Sequence, residues 1–462
     1  MKNAFRIAAF AALAFCVLPS AMAAALPLDV AGNTIAEPIE EGGVAPRPQT
    51  RSRASYDVIL PTADSAGREI VWSEPPLEAP EGLVEAIAIV TQSDPSAQAA
   101  WMGVRASVFD LEGARWLRYP SLTTDLGVAN ATNPVLPSVT VELPIWTGGQ
   151  IGAAIRRGQD LKLASLAQWH ETVLDLALEV NRTYFDIALF SRLEGLYSES
   201  LGEHESLVAS MERRVSQEVS PLADLELVRS RTAQIEQELT LISSQRLTAL
   251  QNLAELVRNP GYRIGPLPAF EPAQANWNGI VGEAVEYSPA RARLLFQSDA
   301  VQSEASIARA SILPRLSAQY SYNEITGSRL GIGFRLQTQS GLSQFSAVSS
   351  ANARYTQSLD QVRLTERQLR QEIANEVVTF DAAVQRTRAL RDAAQTAGRV
   401  SESFMRQFIA GRRSWLDVMN QIRENLSARA GLAQAEVLAQ STAVRLHLRS
   451  GRWKPLLKSP EQ

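Results

Sequence analysis

Few residues in this 462-residue sequence have the types and spacing for covalent chemistry. Its histidines are His170, His204 and His447. His170-Glu171-Thr172-Val173-Leu174 begins as a zinc-protease helix would, but Leu174 stands where the second histidine is required. His204 and His447 fall in polar or amphipathic helical stretches and read as solvated or packed. There is no glycine-rich phosphate loop. Gly331-Ile332-Gly333 lies inside a strand pattern and reads as small residues in a barrel wall. These features predict a protein that is not an enzyme and takes no cofactor or metal.

The one cysteine, Cys16, lies in an address. Lys2 and Arg6 form a charged start, Ile7 to Leu18 an apolar core and Ala21-Met22-Ala23 a small-x-small cleavage site. That is the pattern of a secretory signal peptide over residues 1–23. A lipoprotein signal would place a small residue before the cysteine, and Phe15 stands there instead. Cleavage leaves no thiol, and so no disulfide, cysteine–metal site or cysteine nucleophile. It also takes the formal charge from −4 to −6, because Lys2 and Arg6 leave with it. Nothing in that balance suits a nucleic-acid partner. No later apolar stretch is long enough for a transmembrane helix, so the exported chain is periplasmic, secreted or an outer-membrane β protein.

The strongest pattern is a long internal duplication. Ser93-Asp94-Pro95 returns as Tyr287-Ser288-Pro289, and Tyr119-Pro120-Ser121-Leu122 as Leu313-Pro314-Arg315-Leu316. Thr147-Gly148 returns as Ser340-Gly341, Phe185-Asp186 as Phe380-Asp381, and Ala223-Asp224-Leu225 as Leu416-Asp417-Val418. The spacing is 193 to 195 residues throughout, far longer than a solenoid repeat. The expected layout is therefore a signal peptide at 1–23, a proline-punctuated periplasmic leader at 24–80, a first repeat at 81–270, a second at 271–453, and a tail at 454–462. The leader reads as extended or partly disordered.

Each half reads helix, strand, strand, helix, helix. A helix is expected from Glu81 to about Trp116, ended by Pro120. A weak strand follows over Leu122 to Ala129. Then Val139, Val141, Leu143 and Ile145 alternate with polar residues. In the second half Leu316, Ala318, Tyr320 and Tyr322 alternate with Arg315, Ser317, Gln319 and Ser321. Leu330, Ile332, Phe334 and Leu336 do the same against Arg329, Arg335 and Gln337. Period-two alternation gives one apolar and one polar face. A hairpin on a soluble sheet would show the same pattern.

The stretch from Gln150 to Glu218 contains no proline and would reach roughly 100 Å as a helix. Leu166, Val173, Val180 and Ile187 are spaced by sevens, as are Val228, Ile235, Ile242, Ala249 and Leu256. Ile373, Val377, Phe380 and Val384 step by four, three and four. Heptads favour a coiled-coil seam, with an ordinary long bundle as the alternative. Ser220-Pro221 reads as an N-cap followed by a first helical residue. Gly411 to Ser414 makes the matching turn, so each half ends in a helical hairpin.

Four short strands cannot close a barrel, and open edges are not tolerated in lipid. If the strands lie in a membrane, several chains must share one barrel. Two copies would give a filled interior and three could leave a wet bore, whose polar lining would include Gln319, Arg329, Arg335 and Gln337. Val139, Val141, Leu143, Tyr320, Ile332 and Phe334 would then face lipid.

From Glu81 to Trp453 the chain resembles the TolC family of outer-membrane efflux and secretion channels. The resemblance rests on the Asp94-Pro95 and Ser288-Pro289 openings, on Pro120 and Pro314 before strands, on Pro144-Ile145-Trp146-Thr147-Gly148-Gly149, and on Gly411-Arg412-Arg413-Ser414-Trp415-Leu416-Asp417-Val418. It implies a fold that is mainly α with membrane β. The homotrimer would form a twelve-stranded β-barrel continuing into a long α-helical coiled-coil tunnel in the periplasm. It implies a bacterial outer-membrane location and a periplasmic gate opened by an inner-membrane transporter with its adaptor (membrane fusion) protein. Asp417 matches the first acidic gate position, and Asn420 stands at the second. Arg413 and Phe408 match residues that hold the closed state. Gly411 and Arg412 form one adaptor-docking tip. Val219, Ser220 and Pro221 form the other, where Glu218 replaces the usual glycine. A symmetric ring of Asp417 would repel itself unless cations, protonation or Arg413 compensate. The simpler reading of Asp417 is a helix-N-terminal aspartate favoured by the dipole.

The competing class is a periplasmic coiled-coil adaptor or structural protein, which would share the helices but not the paired strands. Within the duct reading, the cargo is protein delivered by an ABC exporter of a type I secretion system, or drugs or metals from a proton-driven pump. The unlipidated start and short tail lean toward secretion.

Overall fold

A computed structural model describes residues 70–127, 136–265, 267, 270, 276–323, 327–336 and 343–457. The expected signal peptide, the leader up to residue 69, and Gln337 lie outside these. The described chain begins with β1 (Ile70–Trp72). The first half is α1 (Glu81–Ser93), α2 (Pro95–Trp116), β2 (Ser121–Gly127), β3 (Leu136–Trp146), α3 (Gln150–Ser216) and α4 (Leu222–Val257). The second half is α5 (Ile280–Tyr287), α6 (Pro289–Ala310), β4 (Arg315–Asn323), β5 (Gly327–Arg335), α7 (Ser343–Ile409) and α8 (Trp415–Ser450), followed by β6 (Pro455–Leu457).

The single helix expected from Glu81 to Trp116 is two helices. A residue before proline is disfavoured in the helical region, and Asp94 sits extended at φ −68°, ψ 134°. Its carboxylate accepts the Ser96 N–H at 2.7 Å, with Pro95 at the first helical position. The second half repeats the device: Ser288 Oγ accepts the Arg291 N–H at 3.2 Å, ahead of Pro289. The Asp-Pro and Ser-Pro markers are therefore helix caps, each contributing about 1 kcal/mol. The weak first strand is present over Ser121–Gly127, and residues 128–129 of its expected range lie outside the described set.

The duplication extends to element length. α3 and α7 each have 67 residues, about 100 Å, and α4 and α8 each have 36, about 54 Å. α3 packs against α2, α4, α6 and α8, and α7 against α6 and α8. The seam residues Leu166, Val173, Val180 and Ile187 are all buried, among Leu83, Ile87 and Val90 of α1, Leu253 of α4 and Val444 of α8. On α4, Val228, Ile242 and Ala249 are buried, while Ile235 and Leu256 are half-covered.

Both halves close their helices with a left-handed residue. Glu218 (φ 61°) and Gly411 (φ 75°) follow the two long helices; Arg258 (φ 56°) and Gly451 (φ 74°) follow the two shorter ones. Positions 218 and 411, and positions 258 and 451, are each 193 apart. Val219 N–H reaches back to Arg214 O, and Arg412 N–H to Gln407 O, the same closing bond in both tips. Glycine takes this conformation freely, whereas Glu218 and Arg258 each carry about 1–2 kcal/mol of backbone strain. At the first tip the expected cap is displaced by one residue. Pro221, extended at ψ 151°, is itself the N-cap without a side-chain bond, so helix begins only at Leu222.

The end of the leader and the start of the tail pair with each other. β1 and β6 run antiparallel, and Trp72 packs at a tilt against the fully buried Trp453 with ring centroids 5.4 Å apart. Among the described residues no helix is long and apolar enough to cross a membrane.

Candidate functional site

The four longer strands form one antiparallel sheet in the order β2-β3-β4-β5. Directly paired residues share a face. Glu142 pairs with Gln319 and Gln319 with Gly331; Ser321 pairs with Arg329 and Arg315 with Arg335. Gln319, Arg329 and Arg335 therefore lie together on a polar face, with Ser121, Thr123 and Asp125 of β2 joining it through β3. On the other face Val139 pairs with Tyr322, Val141 with Tyr320, Leu143 with Ala318, Ala318 with Ile332 and Leu316 with Phe334. The residues expected to face lipid thus all share one apolar surface. Leu330, Ile332 and Phe334 are 83%, 74% and 67% exposed in the single chain. β2 and β5 are the sheet's outer strands, and among the described residues each has one edge unpaired.

At the opposite end of the long helices the two hairpin tips pack side by side. Leu207, Met211, Leu225 and Val228 of the first meet Phe408, Val418, Met419 and Ile422 of the second. Phe408 is buried. The Arg214 guanidinium lies 4.4 Å from its ring centroid and donates to its backbone carbonyl at 3.0 Å. Arg413 covers the Phe404 ring at 4.1 Å, bonds Gln407 at 3.2 Å, and stands 3.7 Å from the Asp417 carboxylate. Ser414 Oγ accepts the Asp417 N–H at 3.2 Å, which fixes the start of α8. Asn420, Gly411, Arg412 and Val219 are exposed. Ser220 and Pro221 lie in the first turn between helices.

An outer membrane efflux protein family model matches residues 86–257. No curated protein matches the chain. Among solved structures, the outer membrane protein VceC of Vibrio cholerae is 19% identical, with TM-score 0.70 over 80% of this chain and 96% of its own. The Campylobacter jejuni CmeC outer membrane channel is 14% identical, with TM-score 0.69 over 80% and 86%. The open state of the Neisseria gonorrhoeae MtrE outer membrane channel is 13% identical, with TM-score 0.66 over 85% and 98%. Residues 86–257 match the outer membrane efflux protein family, and the described chain shares the fold of these outer membrane proteins. CmeC and MtrE are outer membrane channels, and the described chain has their fold.

Buried charge ties the long helices together. Glu436 of α8 is bonded by Arg192 of α3 at 2.9 Å and Arg391 of α7 at 3.1 Å. Glu376 of α7 meets Arg445 at 2.7 Å and Arg449 at 3.7 Å, both on α8. Burial nonetheless pushes the Glu376 carboxyl up, outweighing both arginines. His170 packs edge-on against Trp169, and burial pushes its imidazole down to about 4. Among the described residues no cluster of His, Cys, Asp and Glu is arranged to hold a metal. Sequence reasoning missed Arg214 and the pairing of Arg315 with Arg335. The repeat itself was the signal for the first. Arg214 and Phe408 are 194 apart, so they occupy equivalent turns of adjacent hairpins.

Proposed function

We propose that this protein is the outer-membrane exit duct of a tripartite export system and conducts its cargo passively. The observation that carries this reading is the half-finished sheet. One face is apolar and exposed, the other polar, and both edges are unpaired among the described residues, while two helices of about 100 Å lead away from it. An open edge is costly in lipid, so the strands need neighbours of their own kind. Three chains would supply twelve strands, enough for a water-filled bore. The partners are two further copies of the chain, a periplasmic adaptor, and an inner-membrane ABC exporter or proton-driven pump.

The tips are the gate and docking surface in this reading. Asp417 and Asn420 would line the aperture, with Arg413 held against Asp417 and Phe408 anchoring the hairpin from within. Gly411 with Arg412, and Val219 with Ser220 and Pro221, would present the two turns to the adaptor. For cargo we propose solutes from an efflux pump, ahead of the type I protein secretion expected from the sequence. The family description is efflux, and an unlipidated start does not select cargo.

Purified protein in planar bilayers should form ohmic pores. A preparation that stays monomeric and never conducts would refute the duct. A deletion strain should gain sensitivity to small toxic solutes; intact resistance with loss of a secreted protein would restore the secretion reading.

A further inference from the structure

We propose that Arg315 and Arg335 form an anion-binding ring where the barrel meets the helical tunnel, a site for carboxylate- or phosphate-bearing solutes. The inference rests on the duct reading. Arg315 opens β4 and Arg335 closes β5, at the helix-connected end of both strands, and the two are directly opposed in register. Both are exposed on the polar face. Like charges so placed repel rather than stabilise the strand pair. The nearest acid on that face of β3, Glu142, pairs with Gln319, four residues along β4 from Arg315. That separation is about 13 Å of strand, too far for an ion pair.

The duplication sets the charge at this level. The first-half equivalent of Arg315 opposite Arg335 is Ser121 opposite Glu142, 194 and 193 residues earlier. Equivalent hairpins sit at equivalent heights in a barrel built from repeats. Each chain then contributes two positive charges and one negative, and a trimer has a net excess of positive charge. Twelve strands about 4.8 Å apart and tilted about 40° give a backbone radius of roughly 12 Å. Arginine side chains reach inward from that wall, so the bore lies within about one Debye length at 0.1 M salt. Low-dielectric walls focus such a field and concentrate counter-ions. The guanidinium fork matches carboxylate and phosphate oxygens, which makes the site selective within anions.

The test uses the full-length protein in planar bilayers under a KCl gradient. Replacing Arg315→Gln with Arg335→Gln leaves only Glu142 at this level, and the reversal potential should move toward cation preference. Glu142→Gln should move it the opposite way. Inorganic tripolyphosphate added from the strand side should block the wild type at roughly tenfold lower concentration than the double variant. Unchanged reversal potentials in both variants, or equal block, would overturn the ring and leave the duct standing. A wild type that forms no pore would overturn both.

Discussion

Ile332 and Gly331 are neighbours on β5 that point to opposite faces. Ile332 pairs with Ala318 on the apolar side and is 74% exposed. Gly331 pairs with Gln319 on the polar side, and a Cβ built there meets nothing within 4 Å. An arginine at Ile332 would bring a charge to the middle of a strand facing lipid, at about 2–4 kcal/mol. It would also forfeit about 2 kcal/mol of isoleucine burial. The total is about 4–6 kcal/mol per chain and about 12–18 per trimer. An arginine at Gly331 would enter water with room to spare. Heat-resistant trimer in outer-membrane fractions should therefore fall at least about tenfold for Ile332→Arg and stay near wild type for Gly331→Arg. Equal yields, or the reverse order, would show that the two faces do not see lipid and water as argued.

Three further outcomes are expected. Asp417→Ala removes the carboxylate 3.7 Å from Arg413 and should raise single-channel conductance or weaken block by divalent cations in planar bilayers. Gly451→Ala would drive a Cβ into the Tyr287 ring at φ 74°, and should cost about 2–5 kcal/mol, read as a lowered melting temperature. The folded-state pKa of His170 is about 4, below its ordinary 6.5. The unfolded chain therefore binds the extra proton, and stability should fall by about 3 kcal/mol as pH drops from 6.5 to 4. His170→Gln should flatten that part of a pH–stability curve measured in detergent.

The parts of the fold that were legible are those with a period. Leu166, Val173, Val180 and Ile187 could be read as a seam because burial repeats with the helix, and Tyr320 and Ile332 as one face because strand side chains alternate. Local backbone choices were harder. Asp94 was noticed as part of a repeat marker, but its role as a cap that breaks the helix depends on the Ser96 amide it captures. Glu218 read as a departure from glycine, yet it adopts the glycine's left-handed turn at a cost in strain. Pairings between distant segments were hidden altogether. Arg315 meets Arg335 only through the register of β4 on β5, and Arg214 meets Phe408 only because the two tips pack together.

The central claim is that β5 of one chain completes its hydrogen bonding on β2 of the next. Cys16 is the only cysteine in the sequence, so residues 24–462 offer a background free of thiols. Cysteines at Leu122 or Thr124 of β2, combined with Leu330 or Ile332 of β5, cannot bridge within one chain. Two strands intervene, a gap of about 14 Å against the roughly 7 Å limit for a disulfide. Non-reducing gels of oxidised outer membranes should show covalent dimers and trimers for at least one combination. Monomers alone across every combination, in protein that reaches the outer membrane, would contradict the account.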